Sequence, residues 1–133
     1  MIWGGCKNFR GNTKACVNNF ILYPGCSSRS SGDYLCQTDD SQDYANSHFA
    51  GNQCVVNEGT TYNAHVCNKP FNGTYYHTAN NQFFTTNGDW QWPTCNMTTL
   101  AAWQAAGEDI GSTVNTVPGV DDLLKMANAR LVQ

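Results

Sequence analysis

Two histidines, a basic cluster, an acidic loop and an aromatic segment are the parts of this 133-residue chain that could do chemistry. His65 and His77 fall on short strand-like stretches, and an imidazole changes charge near neutral pH, so either could serve as a general base. Lys7, Arg10 and Lys14 lie close together and could neutralise a carboxylate on an acidic sugar. A base beside a cation can take a proton next to a neutralised carboxylate, which makes His65, His77, Lys7 and Arg10 the catalytic candidates. Asp39, Asp40 and Asp43 share a polar loop where paired carboxylates could hydrolyse a glycosidic bond or clustered oxygens could hold calcium. That loop lacks the spacing and glycine of a dedicated calcium loop, so no metal site is assigned. No cofactor is expected, calcium being the one ion those oxygens would suit. Trp90 and Trp92 flank Gln91 beside a Gly88 turn and point to one side if the segment is extended. With Tyr75 and Tyr76 they could form a platform for the apolar faces of sugar rings. Each reading has a plain structural competitor: a strand histidine filling a sheet, a solvated charge run, a polar turn, and tryptophans packed beneath a helix.

The elements that must position these groups follow from composition and spacing. Charged residues are 13 % of the chain, aromatics 12 %, and the net charge is −3. Low charge without heptads disfavours a coiled coil, and the aromatic content disfavours disorder. Residues 1–32 carry bases and no acid, residues 33–60 acids and no base, and the remainder is acidic on balance. No sustained basic surface results, so no nucleic-acid partner is expected. No apolar run reaches the length of a membrane span.

The seven cysteines contain no Cys-x-x-Cys pair, and their density points to an oxidising compartment. Cys26 with Cys36 would close a local loop, and Cys67 with Cys95 would link neighbouring repeats, among many connectivities the count allows. Asn72-Gly73-Thr74 and Asn96-Met97-Thr98 are glycosylation sequons at Asn72 and Asn96. Together these suggest an extracellular or cell-surface location. The opening residues do not read as a signal peptide, which leads to the expectation that upstream sequence is missing.

A repeat organises the middle of the chain at intervals of roughly 30 residues. A small residue, then Asn, precedes a short apolar or aromatic strand at Asn18-Asn19-Phe20-Ile21, Gly51-Asn52-Gln53-Cys54 and Asn80-Asn81-Gln82-Phe83. A second box recurs as Tyr34-Leu35-Cys36, His65-Val66-Cys67 and Pro93-Thr94-Cys95. A fainter pair aligns Ser47-His48-Phe49 with Tyr75-Tyr76-His77. Short strands at a fixed period suggest a solenoid of three to four turns, each strand stacked on its equivalent roughly 4.8 Å away. Asn19, Asn52 and Asn81 would occupy left-handed corners or hydrogen-bond from turn to turn. Ile21, Cys54 and Phe83 would form an inward column. A β-sandwich or a small disulfide-rich domain with Asn-rich turns is the competing fold.

Two helices are predicted. One spans 98–107, with Thr98 or Thr99 at its start, Gly107 as its stop, and Leu100, Trp103 and Ala106 on one face. The other spans 119–131, with Val120, Leu123, Leu124, Ala127 and Leu131 as its apolar stripe. It is expected to cap the last turn of the solenoid.

With these residues in place, the chain resembles the C-terminal turns of a right-handed parallel β-helix protein of the pectate-lyase-like architecture. The resemblance rests on the Asn-before-strand boxes and on a Leu100-x-x-Trp103-Gln104 helix followed by Gly107-x-Asp109-x-Gly111-Ser112. The opening Gly4-Gly5-Cys6-Lys7-Asn8-Phe9-Arg10 is similar to segments of cysteine-containing eukaryotic β-helix proteins. It implies one all-β domain over 1–133, belonging to a longer β-helix, that binds or processes a polysaccharide. Any lyase or hydrolase site could lie upstream, because no active-site motif carries over position by position. A structural or adhesion β-helix and a cysteine-rich protein-binding module are the alternatives.

Overall fold

The computed structural model describes residues 6–7, 15–22, 37–38, 47–56, 76–90 and 97–131. Strands β1 (Cys6–Lys7), β2 (Ala15–Val17), β3 (Phe20–Leu22), β4 (Gln37–Thr38), β5 (Ser47–Ala50), β6 (Gln53–Val55), β7 (Tyr76–Ala79), β8 (Gln82–Thr85) and β9 (Thr113–Thr116) accompany helices α1 (Leu100–Ala105) and α2 (Val120–Ala129). The strands form sheets β1-β4, β2-β5-β7 and β3-β6-β8-β9. Every strand pairing is parallel. The fold is therefore mostly β, built of parallel sheets with few helices.

The repeat predicted from Asn19, Asn52 and Asn81 is the physical repeat of these sheets. Gln53 lies opposite Phe20 and Gln82, and Ile21, Cys54, Phe83 and Val114 form one cross-strand column. Two residues, the first left-handed, make each corner: Asn18, Gly51, Asn80 and Gly111 have φ of 57°, 65°, 54° and 77°. The parallel ladder runs through this corner unbroken. Asn18, Gly51 and Asn80 donate their N–H to Ala50, Ala79 and Ile110, and Gln53, Gln82 and Thr113 donate to Asn19, Asn52 and Asn81. Asn and Gly alternate along the corner for a steric reason. A Cβ on Gly51 would collide with Oδ1 of Asn18, and one on Gly111 with Oδ1 of Asn80. Each Asn side chain fills the space its neighbour leaves open.

The fainter box is shifted by one residue from its sequence alignment. Ser47 pairs with Tyr76, His48 with His77 and Phe49 with Thr78. Because faces alternate along a strand, this puts both histidines on one face and both Phe49 and Thr78 inside.

Two apolar clusters hold the sheets. Phe49 from β5, with Ile21, Cys54 and Phe83, packs against Trp103 and Leu100 of α1. On the opposite face of the β3-β6-β8-β9 sheet, Phe20, Val55 and Phe84 pack against Leu123, Met126 and Ala127 of α2. This is the helix predicted over 119–131, found at Val120–Ala129. It lies across a sheet face, where Phe20, Leu22, Val55 and Phe84 form an apolar surface that needs cover. Val120 and Leu124 of its predicted stripe, and Leu131 beyond its end, remain 72 %, 56 % and 64 % exposed. Arg130 ends the helix and reaches Gln53 Oε1 at 3.4 Å and the Gly51 carbonyl at 3.2 Å.

Candidate functional site

An asparagine ladder runs along the corner, fully buried at Asn52 and Asn81. Asn19 N–H donates to Asn52 Oδ1 at 2.9 Å across 33 residues, and Asn52 N–H donates to Asn81 Oδ1 at 3.0 Å across 29. The Asn19 and Asn52 side-chain amides follow the same path at 3.3 Å and 3.2 Å. Each amide also serves the chain it lies beside: Asn52 Nδ2 donates to the Cys16 carbonyl and Asn81 Nδ2 to the Phe49 carbonyl. Buried backbone groups at the corner thus find partners without water.

The next position is Ser112. It accepts from Asn81 N–H at 2.8 Å and donates to Asp109 Oδ1 at 2.8 Å. Asp109 is fully buried and also accepts from Asn81 Nδ2 at 2.9 Å and from the Trp103 indole at 3.1 Å. Gln104 donates to the carbonyls of Asp109 and Ser112. Thr78 accepts from Asp109 N–H and donates to Glu108 Oε2 at 2.6 Å. Burial pushes the Glu108 carboxyl above its ordinary range, the Thr78 hydrogen bond opposes this, and the Asp109 charge adds to it. A buried acid pair of this kind could suggest acid–base chemistry. Here the bonds bind it to the corner backbone and to α1, so its evident work is closing the ladder. Thr99 caps α1 by accepting from Ala102 N–H, as the sequence predicts for one of its two threonines.

Groups open to solvent lie on the outer face of the β2-β5-β7 sheet. His48 is exposed and His77 half-buried; their rings stack with centroids 4.6 Å apart and 13° between planes. Burial, then the charge of His48, lowers the affinity of His77 for a proton. Val17, Ala50 and Ala79 continue the same outward face, and Ile110 bridges to Ala79. Val17 is 43 % exposed and Ile110 60 %. The strands beneath this face are in register.

Compared with known proteins, the chain matches no family model, no curated protein and no solved structure.

His77 is thus brought beside His48, which the sequence reading passed over. Shifting the fainter box by one residue would have paired them. Trp90 is half-buried, meets Phe83 edge-on at 5.7 Å and packs against the core. The backbones of Lys7 and Tyr76 lie in β1 and β7. His65, Arg10, Tyr75, Trp92, the acidic loop, Cys26, Cys36, Cys67, Cys95, Asn72 and Asn96 lie outside the described residues. Cys16 and Cys54, neither of them in the predicted pairs, are each in a disulfide. Among the described residues, no three His, Cys, Asp or Glu side chains gather as a metal site, and no helix is long and apolar enough to cross a membrane.

Proposed function

We propose that these parallel sheets belong to a right-handed parallel β-helix, secreted or at the cell surface, that binds or processes a polysaccharide. The observation carrying the proposal is the outer face of β2-β5-β7 with His48 and His77 in register upon it. An extended glycan laid across parallel strands would meet a similar surface at each strand, spaced roughly 4.8 Å apart, comparable with the length of one sugar residue. Val17, Ala50, Ala79 and Ile110 suit the apolar faces of sugar rings, and the imidazoles supply hydrogen bonds. The ladder has a direction, each unit donating to the Oδ1 of the next. By the same rule an upstream turn would donate to Asn19 Oδ1, which fits a place among the last turns of a longer β-helix.

The test is affinity electrophoresis of the intact chain, with EDTA present, through gels containing acidic or neutral polysaccharides. Retardation by one class, abolished by Ala50→Glu with the fold retained, is the expected result. Uniform mobility across the panel overturns the binding proposal. A rigid structural or adhesion role is the second reading. It is favoured by the engagement of Glu108 and Asp109 in closing the corner, which leaves no carboxylate on the described outer face.

A further inference from the structure

We propose that His48 and His77 form a two-imidazole site for a divalent transition-metal ion, Cu(II) in preference to Zn(II). The site stands on geometry independent of glycan binding. Direct pairing of β5 with β7 places the two side chains on the same face of adjacent strands. Their rings already lie 4.6 Å apart and nearly parallel. Metal–imidazole nitrogen bonds of about 2.0–2.1 Å require the two donor atoms to converge to roughly 3 Å. Side-chain rotation on an open face supplies that movement without disturbing the strand ladder.

The surroundings suit this chemistry. Ala15, Ala50 and Ala79 are small neighbours on the outward face and bring neither a competing charge nor steric obstruction. Imidazole is a borderline ligand that favours copper, nickel and zinc over calcium or magnesium, and copper heads the divalent affinity order. Ligation requires the neutral ring, the form burial favours at His77. Two protein nitrogens leave coordination positions for water, so the site is an open one with modest affinity. Glu108 is engaged by Thr78 inside the corner and is not counted as a ligand.

The experiment uses the whole chain in metal-free buffer without glycan. Cu(II) is titrated calorimetrically, and the bound ion is examined by electron paramagnetic resonance. The expected result is nitrogen hyperfine structure from two imidazoles and an affinity that falls about tenfold or more in both His48→Ala and His77→Ala. His65→Ala, which removes the remaining histidine, should leave affinity unchanged. A spectrum with fewer than two imidazoles overturns the proposal even if a variant fails to fold. Equal affinity in wild type and either folded His48 or His77 variant also overturns it, as does loss confined to His65→Ala. Because glycan is absent, failure here leaves the polysaccharide reading to its own test.

Discussion

Replacing Asn81 with Ala should cost far more than its loss of volume implies. The side chain is fully buried, and each end has two partners. Its Oδ1 accepts from Asn52 N–H at 3.0 Å and Asn52 Nδ2 at 3.2 Å. Its Nδ2 donates to the Phe49 carbonyl at 3.0 Å and Asp109 Oδ1 at 2.9 Å. Alanine satisfies none of these. A buried polar group stripped of its partner costs about 1–3 kcal/mol, and more when charged. Asn52 N–H, the Phe49 carbonyl and the Asp109 carboxylate all lose a bond, so a combined loss of roughly 3–6 kcal/mol follows after allowing for relaxation. Domains of this size have only about 5–15 kcal/mol in all. Asn19→Ala, at the half-exposed end where water can substitute, should cost only about 1 kcal/mol. Urea unfolding gives both values from the midpoint at an unchanged slope. The double variant Asn52→Ala/Asn81→Ala should lose less than the sum of the singles, because Asn52 and Asn81 share bonds. Equal losses at positions 19 and 81, or a loss below about 1 kcal/mol at 81, would refute the ladder as a main source of stability.

Gly111→Ala should destabilise by about 1–3 kcal/mol, since it combines a left-handed φ with a collision at Asn80 Oδ1. Asn80→Gly in that background should recover only the part due to collision, read from thermal midpoints. Trp103→Phe keeps most of the packing but removes the 3.1 Å indole bond to Asp109. A loss of about 1.5–3 kcal/mol is expected by urea titration, as for a bond to a charged group. The two shifted acids titrate in opposite senses. His77 has its folded pKa below the ordinary 6.5, so its contribution is intact above 6.5 and is lost as pH falls through 6.5 towards the lower folded value. His77→Ala should flatten that slope in urea midpoints measured against pH. Glu108 has its folded pKa above the ordinary 4.5, so its contribution is present below 4.5 and lost as pH rises through the raised value. Glu108→Gln should remove that dependence, and an unchanged profile would count against the burial of this carboxyl.

Much of the scaffold is legible in the sequence because one side chain does a repeated job. Asn19, Asn52 and Asn81 recur next to apolar strands, and the structure makes each a donor to the following unit. The Trp103-Gln104 and Asp109-x-Gly111-Ser112 pieces are also visible as a motif, and their hydrogen bonds explain why those types occur together. Helix α2 is found where the sequence places it. Its stripe is readable, whereas the apolar outward residues Phe20, Leu22, Val55 and Phe84 that attract it come from three separated strands. His48 escapes for a subtler reason. Aligning Phe49 with His77 keeps an aromatic pattern, while the actual register puts Thr78 inside and satisfies its hydroxyl with Glu108 and Asp109. A polar residue with buried partners imitates an outward position in sequence.

The substitution of Ser112 for asparagine also explains how a stack of this kind can stop. An asparagine carries both an acceptor for the preceding unit and an amide for the next, so a run of them has no intrinsic end. Serine accepts from Asn81 but sends its one hydrogen back to Asp109, and that carboxylate receives the Trp103 indole. The ladder is turned inward under α1. The sheet ends in the same turn, where β9 follows Ser112 directly and presents Thr113, Asn115 and Thr116 as exposed polar residues around half-buried Val114. Such an edge discourages addition of another apolar strand. Extending the ladder by Ser112→Asn should therefore do harm: the larger amide must fit the site where Ser112 is now buried, and the Ser112 bond to Asp109 is lost. The expected reading is a lower urea midpoint without new association in sedimentation. Concentration-dependent association at an unchanged midpoint would show that serine acts mainly as a block to further stacking and contributes little to stability.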